Sequence, residues 1–262
     1  MIELLKIEFL KIKNHNIFRA FMLLYFILLP GLFYTLSLID FPFFPTGSDL
    51  FQFPEVWGFL TYTAGWFNVL PGILVVSLVC NEITYKTQKQ NVIDGLSRLE
   101  VILSKFYLVF VLAIVLTVYI IVLAVVLGAI TSNISDIFQD IEKIGYFFIQ
   151  TLGTLSLALL LAVIIRKSAL AVIAYIILFI LAGVIAGYTM GDDLSQWMPF
   201  NLMNDLTPNP WMEFINKLQR LADPNYSAGP VGIALWVKAM LSLAYIGGFV
   251  FLSYFIMKKR DL

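Results

Sequence analysis

A chain of 262 residues that is 60% hydrophobic and 13% charged, with mean hydropathy +0.90, is no ordinary soluble domain; such domains average about 45–50% apolar and about 25% charged. Its formal net charge is zero, so no long-range field draws nucleic acid or an anionic substrate. One cysteine (Cys80) and one histidine (His15) exclude an internal disulfide and a Cys- or His-rich metal cluster.

The chain opens with Met1, Ile2, Leu5, Phe9 and Ile12 on one helical arc of roughly 100°, flanked by Lys6 and Lys13. This predicts an interfacial helix over 1–16 on the cytoplasmic leaflet. A secretory leader is the rival reading, but no small-x-small cleavage site follows the apolar run. Six apolar segments come next, at about 17–38, 56–79, 106–130, 146–165, 169–188 and 235–257. Each is long enough to cross a hydrocarbon core of about 30 Å. The predicted fold class is therefore all-α, a polytopic membrane protein with six transmembrane helices forming one domain over 17–262. Pro30-Gly31 and Pro71-Gly72 predict local kinks, because each proline removes a backbone donor. Arg166-Lys167-Ser168 is short enough to be only a tight hairpin.

Basic residues set the orientation. Of the 17 Lys and Arg, thirteen fall on one side: Lys6, Lys11, Lys13 and Arg19; Lys86, Lys89, Arg98 and Lys105; Arg166 and Lys167; Lys258, Lys259 and Arg260. Short loops of that kind face the cytoplasm. The expectation is a multi-pass protein of the cell (inner) membrane with both termini cytoplasmic.

The opposite loops differ. Residues 40–55 are rich in Phe and Pro, and 131–145 carry Asp136, Asp140 and Glu142. In the outer segment 190–234, Asn209-Pro210 can start a helix. Trp211, Phe214, Ile215, Leu218 and Leu221 would form its apolar face, and Asp223-Pro224 would end it.

The polar segment 80–105 lies between two apolar runs and carries four cations. Val92, Leu96 and Leu99 recur at i, i+4, i+7, the stripe of an amphipathic helix, suited to docking on a soluble partner. The missing chemistry is as informative. No G-x-x-x-x-G-K-[ST] loop occurs, so any ATP must be held by a separate polypeptide. No H-E-x-x-H motif occurs, and His15 lies outside the spans, so neither a metal site nor a catalytic residue is expected. The span interiors carry no ionisable group, which argues against a proton-coupled transporter. Asn68, Gln150, Thr151 and Thr154 are polar at depth. Asn68, beside Trp66 and Pro71, reads either as an interhelical hydrogen-bonding group or as part of a path.

The order Glu82, Thr87, Gly95-Leu96-Ser97-Arg98 and Lys105 is similar to the first cytoplasmic loop of type-2 ABC transporter permeases. The span count, amphipathic start and basic end extend the resemblance over most of the chain. This copy has Tyr85-Lys86 where a glycine often precedes the threonine, and Asp94-Gly95 where a proline is frequent. The resemblance implies a permease subunit of an ATP-driven exporter whose segment 80–105 holds a coupling helix. Glu82, Thr87, Val92, Gly95, Leu96, Ser97, Arg98 and Leu99 would then meet the ATPase, and Trp66, Asn68 and Pro71 would border the translocation path. Partners would be two copies of an ABC ATP-binding subunit, a second permease subunit in a homodimer, and membrane lipid. The chain itself would hold no cofactor, with ATP and Mg on the ATPase. Glu82 would cap the coupling helix and pair with Arg98 or with a partner's cation; otherwise it is a solvated boundary charge. The alternative function is a non-transport membrane anchor or sensor scaffold acting through its outer segment.

Overall fold

The computed structural model describes residues 16–38, 50–132, 136–212, 215, 219 and 233–259. They are helical, with no strand among them. The long helices are α1 (Asn16–Ser37), α2 (Glu55–Phe67), α3 (Val69–Thr84), α5 (Arg98–Thr131), α6 (Glu142–Ile165), α7 (Ser168–Ser195) and α9 (Leu235–Lys259). Two short ones, α4 (Thr87–Ile93) and α8 (Pro199–Asn204), sit between them. The expected interfacial helix at 1–16 lies outside the described residues, except for Asn16, which opens α1.

Among the described residues, five segments are long and apolar enough to cross a membrane: Phe18–Leu36, Glu55–Thr84, Arg98–Thr131, Glu142–Ile165 and Leu235–Lys259. Helix α7 also carries an apolar stretch, Ser168–Ala182 among the described residues. The molecule is thus an all-helical membrane protein. Its span faces follow helical periodicity. On α1, Met22, Tyr25, Leu29 and Phe33 are buried while Leu23, Leu24 and Ile27 are exposed. On α7, Ala171, Tyr175 and Phe179 point inward and Leu170, Ile173 and Ile177 outward. Apolar outward faces are what hydrocarbon as solvent requires, because the backbone is satisfied within each helix.

The most enclosed helix is α6, which packs against α2, α3, α5, α7, α8 and α9. Its buried positions include Gly153, Ser156, Ala158 and Ala162, small residues that let neighbouring helices approach closely. A Cβ on Gly153 would lie 2.6 Å from the sulfur of Met203 in α8. Between α6 and α7 only Arg166 and Lys167 intervene, with Arg166 left-handed at φ 61°.

Proline acts differently at its two sites. Helix α1 runs through Pro30 without interruption. At Pro71 the span is broken at Asn68 rather than kinked. The ring of Pro71 would collide with the carbonyl four residues back, that of Phe67, where α2 ends. Starting α3 at Val69 puts Pro71 in a first turn, where no intrahelical N–H is required. Helix α5 has 34 residues, so it is about 50 Å long at 1.5 Å per residue, well beyond the hydrocarbon core. Its first turns, Arg98–Lys105, were expected to belong to the polar loop. They are instead the projecting end of a span.

Candidate functional site

Two places bring the sequence-predicted residues together. The first is the loop between α3 and α5. Here Thr87 Oγ1 donates to the carbonyl of Glu82 at 3.2 Å, closing the turn after α3. The seven residues of α4 then end at Gly95, whose φ of 104° needs a glycine. The Gly95 N–H bonds the Val92 carbonyl at 3.2 Å, and the Leu96 N–H that of Asn91 at 3.1 Å. Those paired bonds are a Schellman stop. Ser97 starts the next helix through a capping box: its Oγ accepts from the Glu100 N–H, and its own N–H donates to Glu100 Oε2 at 2.7 Å.

This local chemistry corrects the expected stripe. Val92, Leu96 and Leu99 cannot share one helical face, because a stop and a start intervene between Val92 and Leu99. Val92 and Leu96 pack in against the protein's own core, whereas Leu99 is 45% exposed. The apolar side chains presented outward are Tyr85 (76% exposed), Ile93 (67%) and Leu99.

The charges also pair differently from expectation. Glu82 does not cap α4, whose N-cap position is Lys86 with no side-chain bond. Glu82 Oε1 instead accepts from Lys105 Nζ at 2.5 Å, with Lys105 only 2% exposed. Arg98 turns away from Glu82: its Nη1 donates to the carbonyls of Met257 (3.2 Å) and Lys258 (2.6 Å) in the last turn of α9. A cation there satisfies terminal carbonyls and opposes the helix dipole. Glu82 joins α3 to α5, and Arg98 joins α5 to α9. The signal for the ion pair was present: Glu82 and Lys105 are the charges nearest the apolar runs on either side of the loop.

The second place is the break at Asn68. Asn68 is fully buried, and its Nδ2 donates to Thr151 Oγ1 of α6 at 3.0 Å. Its carbonyl accepts from the Gly72 N–H at 3.1 Å and from the Tyr175 hydroxyl of α7 at 3.3 Å. The ring of Tyr175 lies so close that a Cβ on Gly72 would fall 2.0 Å from its hydroxyl oxygen. Asn68 and Pro71 thus sit inside the bundle among α3, α6 and α7. Trp66, 57% exposed, borders a separate cavity of about 240 Å³ with Tyr62, Gln150, Asn204, Thr207 and Asn209.

In that cavity Thr207 Oγ1 donates to Gln150 Oε1 at 2.8 Å, and Asp205 of its lining pairs with Lys238 of α9 at 2.7 Å. The expected helix start at Asn209-Pro210 is present, with Asn209 Oδ1 accepting from the Trp211 N–H at 3.0 Å. Most of its continuation, including Phe214, Leu218 and Leu221, lies outside the described residues. Tyr175, Gln150 with Thr207, and the Lys105 pair were missed as site features, because each depends on helices far apart in sequence.

Residues 23–262 match a family model described as "Protein of unknown function (DUF2705)". The chain belongs to that family. No curated protein matches it. Among the described residues of this DUF2705 member, no group of three or more His, Cys, Asp or Glu is gathered.

Proposed function

We propose that this protein is the membrane subunit of an ATP-driven exporter, with six spans, both termini cytoplasmic, and a loop that receives force from a separate ATPase. The observation that carries the proposal is the construction of that loop. A seven-residue helix stands between the ends of two spans; it is stopped at Gly95, and Ser97 then caps the start of α5. Glu82–Lys105 and Arg98 tie the same ends to α3, α5 and α9. A force on α4 is therefore passed to three long helices at once. Tyr85, Ile93 and Leu99 supply an apolar contact surface on the outside of that lever. Two copies of the chain with two ATPases form the working unit, and substrate crosses where the copies meet.

The test is affinity purification of the full chain in mild detergent from its native host. A soluble ATPase with a Walker motif is expected in equal stoichiometry, and ATP hydrolysis should belong to the complex. Ile93→Asp should release that ATPase while the membrane domain still inserts, because a buried charge without a partner costs several kcal/mol. Leu96→Asp, on the inward face, should destabilise the membrane domain itself. A chain that purifies with no ATPase, and whose properties nucleotide leaves unchanged, would replace the exporter with the anchor or sensor scaffold.

A further inference from the structure

The cavity beside Trp66, of about 240 Å³, joins aromatic rings to carboxamides. It lies at the end of the bundle away from α4: its lining residue Gln150 stands about 12 Å along α6 from Glu142, at 1.5 Å per residue. The rings come from two sides, Tyr62 and Trp66 from the end of α2 and Phe179 from α7. Phe179 is buried and makes a T-shaped contact with Phe200 of α8, the ring centroids 5.5 Å apart.

The polar groups come from α6 and from the turn after α8. That turn is closed by the Leu206 N–H on the Met203 carbonyl and by the Thr207 N–H on the Asn204 carbonyl, both at 3.3 Å. Leu202, Met203 and Leu206 are fully buried, so Asn204 and Thr207 are carried on an anchored turn. Gln150, itself only 3% exposed, accepts from Thr207 through Oε1. Its Nε2 reaches Asn204 Oδ1 at 3.4 Å, longer than an N–H···O bond prefers. A ligand oxygen at ordinary distance would engage that donor better. A Cβ on Gly65 would lie 2.9 Å from the same nitrogen, so the glycine lets α2 come close to it.

This lining selects a ligand. A carboxamide sets a donor and an acceptor side by side, and each hydroxyl of a sugar both donates and accepts. The aromatic walls match the other character of a sugar ring, its C–H faces, because the face of a π-system is electron-rich. A lipid chain would use the rings and gain nothing from the carboxamides. Asp205 of the lining is paired with Lys238 at 2.7 Å, so a charged ligand of either sign meets a like charge beside the opposite one.

We propose that this cavity binds a neutral sugar ring, with Trp66 and Phe179 against its faces and Gln150, Asn204 and Thr207 on its hydroxyls. The site belongs to this chain alone and does not rest on the exporter reading.

The test uses the full chain in phosphatidylcholine nanodiscs, titrated with the methyl glycosides of glucose, galactose and mannose and followed by saturation-transfer NMR. At least one of the three should bind, with the strongest transfer to ring C–H protons. Trp66→Ala should weaken that binding by about tenfold, and Asn204→Ala by about fivefold, the effect of one hydrogen bond. Neither side chain is fully buried, so the bundle should tolerate both changes. Gln150→Leu should act like Asn204→Ala, and the first two variants decide the matter if it misfolds. Trp236→Ala, an exposed tryptophan that does not line the cavity, should leave binding unchanged. The proposal fails if none of the glycosides binds, if Trp66→Ala and Asn204→Ala both bind as wild type does, or if Trp236→Ala weakens binding equally. Displacement of the sugar by N-acetylalanine amide at matched concentration would overturn it in favour of a peptide. Each of these failures leaves co-purification of an ATPase untouched, so the two readings fall separately.

Discussion

The middle and the loop end of the second span are fastened by opposite means. At mid-depth, the break at Asn68 is held by neutral hydrogen bonds to Thr151 and Tyr175. At the loop end, the same span is held by charge, through Glu82 and Lys105. The difference follows from the surroundings. An ion in hydrocarbon is expensive, so the deep junction uses groups that need no counter-ion. Near the boundary, charges can be paired and still lie close to water. The bundle is therefore fixed where neutral groups grip it, and it can be addressed from outside where charged groups do.

The largest way to break this contrast is to leave one charge behind. Lys105→Met removes the buried Glu82–Lys105 ion pair and should cost about 3–5 kcal/mol. For a chain of this size that lowers the Tm of the detergent-solubilised protein by roughly 6–20 °C. Glu82→Leu/Lys105→Met should recover most of the loss, since replacing both members of a buried pair is often nearly neutral. A double variant as unstable as the single would show that charge is not what fastens this end.

Next in size is the close approach at the deep junction. Gly72→Ala forces a methyl into Tyr175 and should cost about 1–3 kcal/mol. In a Tyr175→Ala background the same change should cost much less, because the colliding ring is gone. Equal costs in both backgrounds would place the penalty elsewhere. Smaller again is the hydrogen bond itself: Thr151→Val keeps the shape and removes the acceptor for Asn68. Its expected cost in thermal unfolding is about 0.6 kcal/mol, and at most about 1.7. The smallest effect belongs to Arg98→Gln, about 0.3–1 kcal/mol and reduced by salt, with hydrogen exchange quickened in the last turn of α9. Salt-insensitive loss there would mean that Arg98 acts through packing and not charge.

Much of the bundle was legible because lipid-facing helices need long apolar runs, and composition alone marks those. The break near Pro71 was foreseen as a kink. Its position, three residues earlier, follows from where the proline ring meets the preceding turn. The loop was found by its charge but misread in its faces. A period of Val92, Leu96 and Leu99 was traced straight through Asp94-Gly95, a turn signal, and across Ser97-x-x-Glu100, a helix-start signal. Local backbone chemistry outweighed the period. The Glu82–Lys105 pair lies 23 residues apart in sequence and depends on how α3 and α5 pack. Counting basic residues by loop explained Lys105 too well for its burial to be suspected. The Trp66 cavity draws on residues between 62 and 209, a juxtaposition that no window of sequence contains.

The break at Asn68 also bears on how the chain is made. Its partners emerge late: Thr151 follows by 83 residues and Tyr175 by 107. At roughly 5–20 residues per second of synthesis, Tyr175 appears about 5–20 s after Asn68. During that interval the second span is in the membrane, or waiting to enter it, with an interrupted backbone and an unmet side-chain amide. Those bonds can form only once α6 and α7 have been made, so the order of translation becomes part of the folding of this membrane domain.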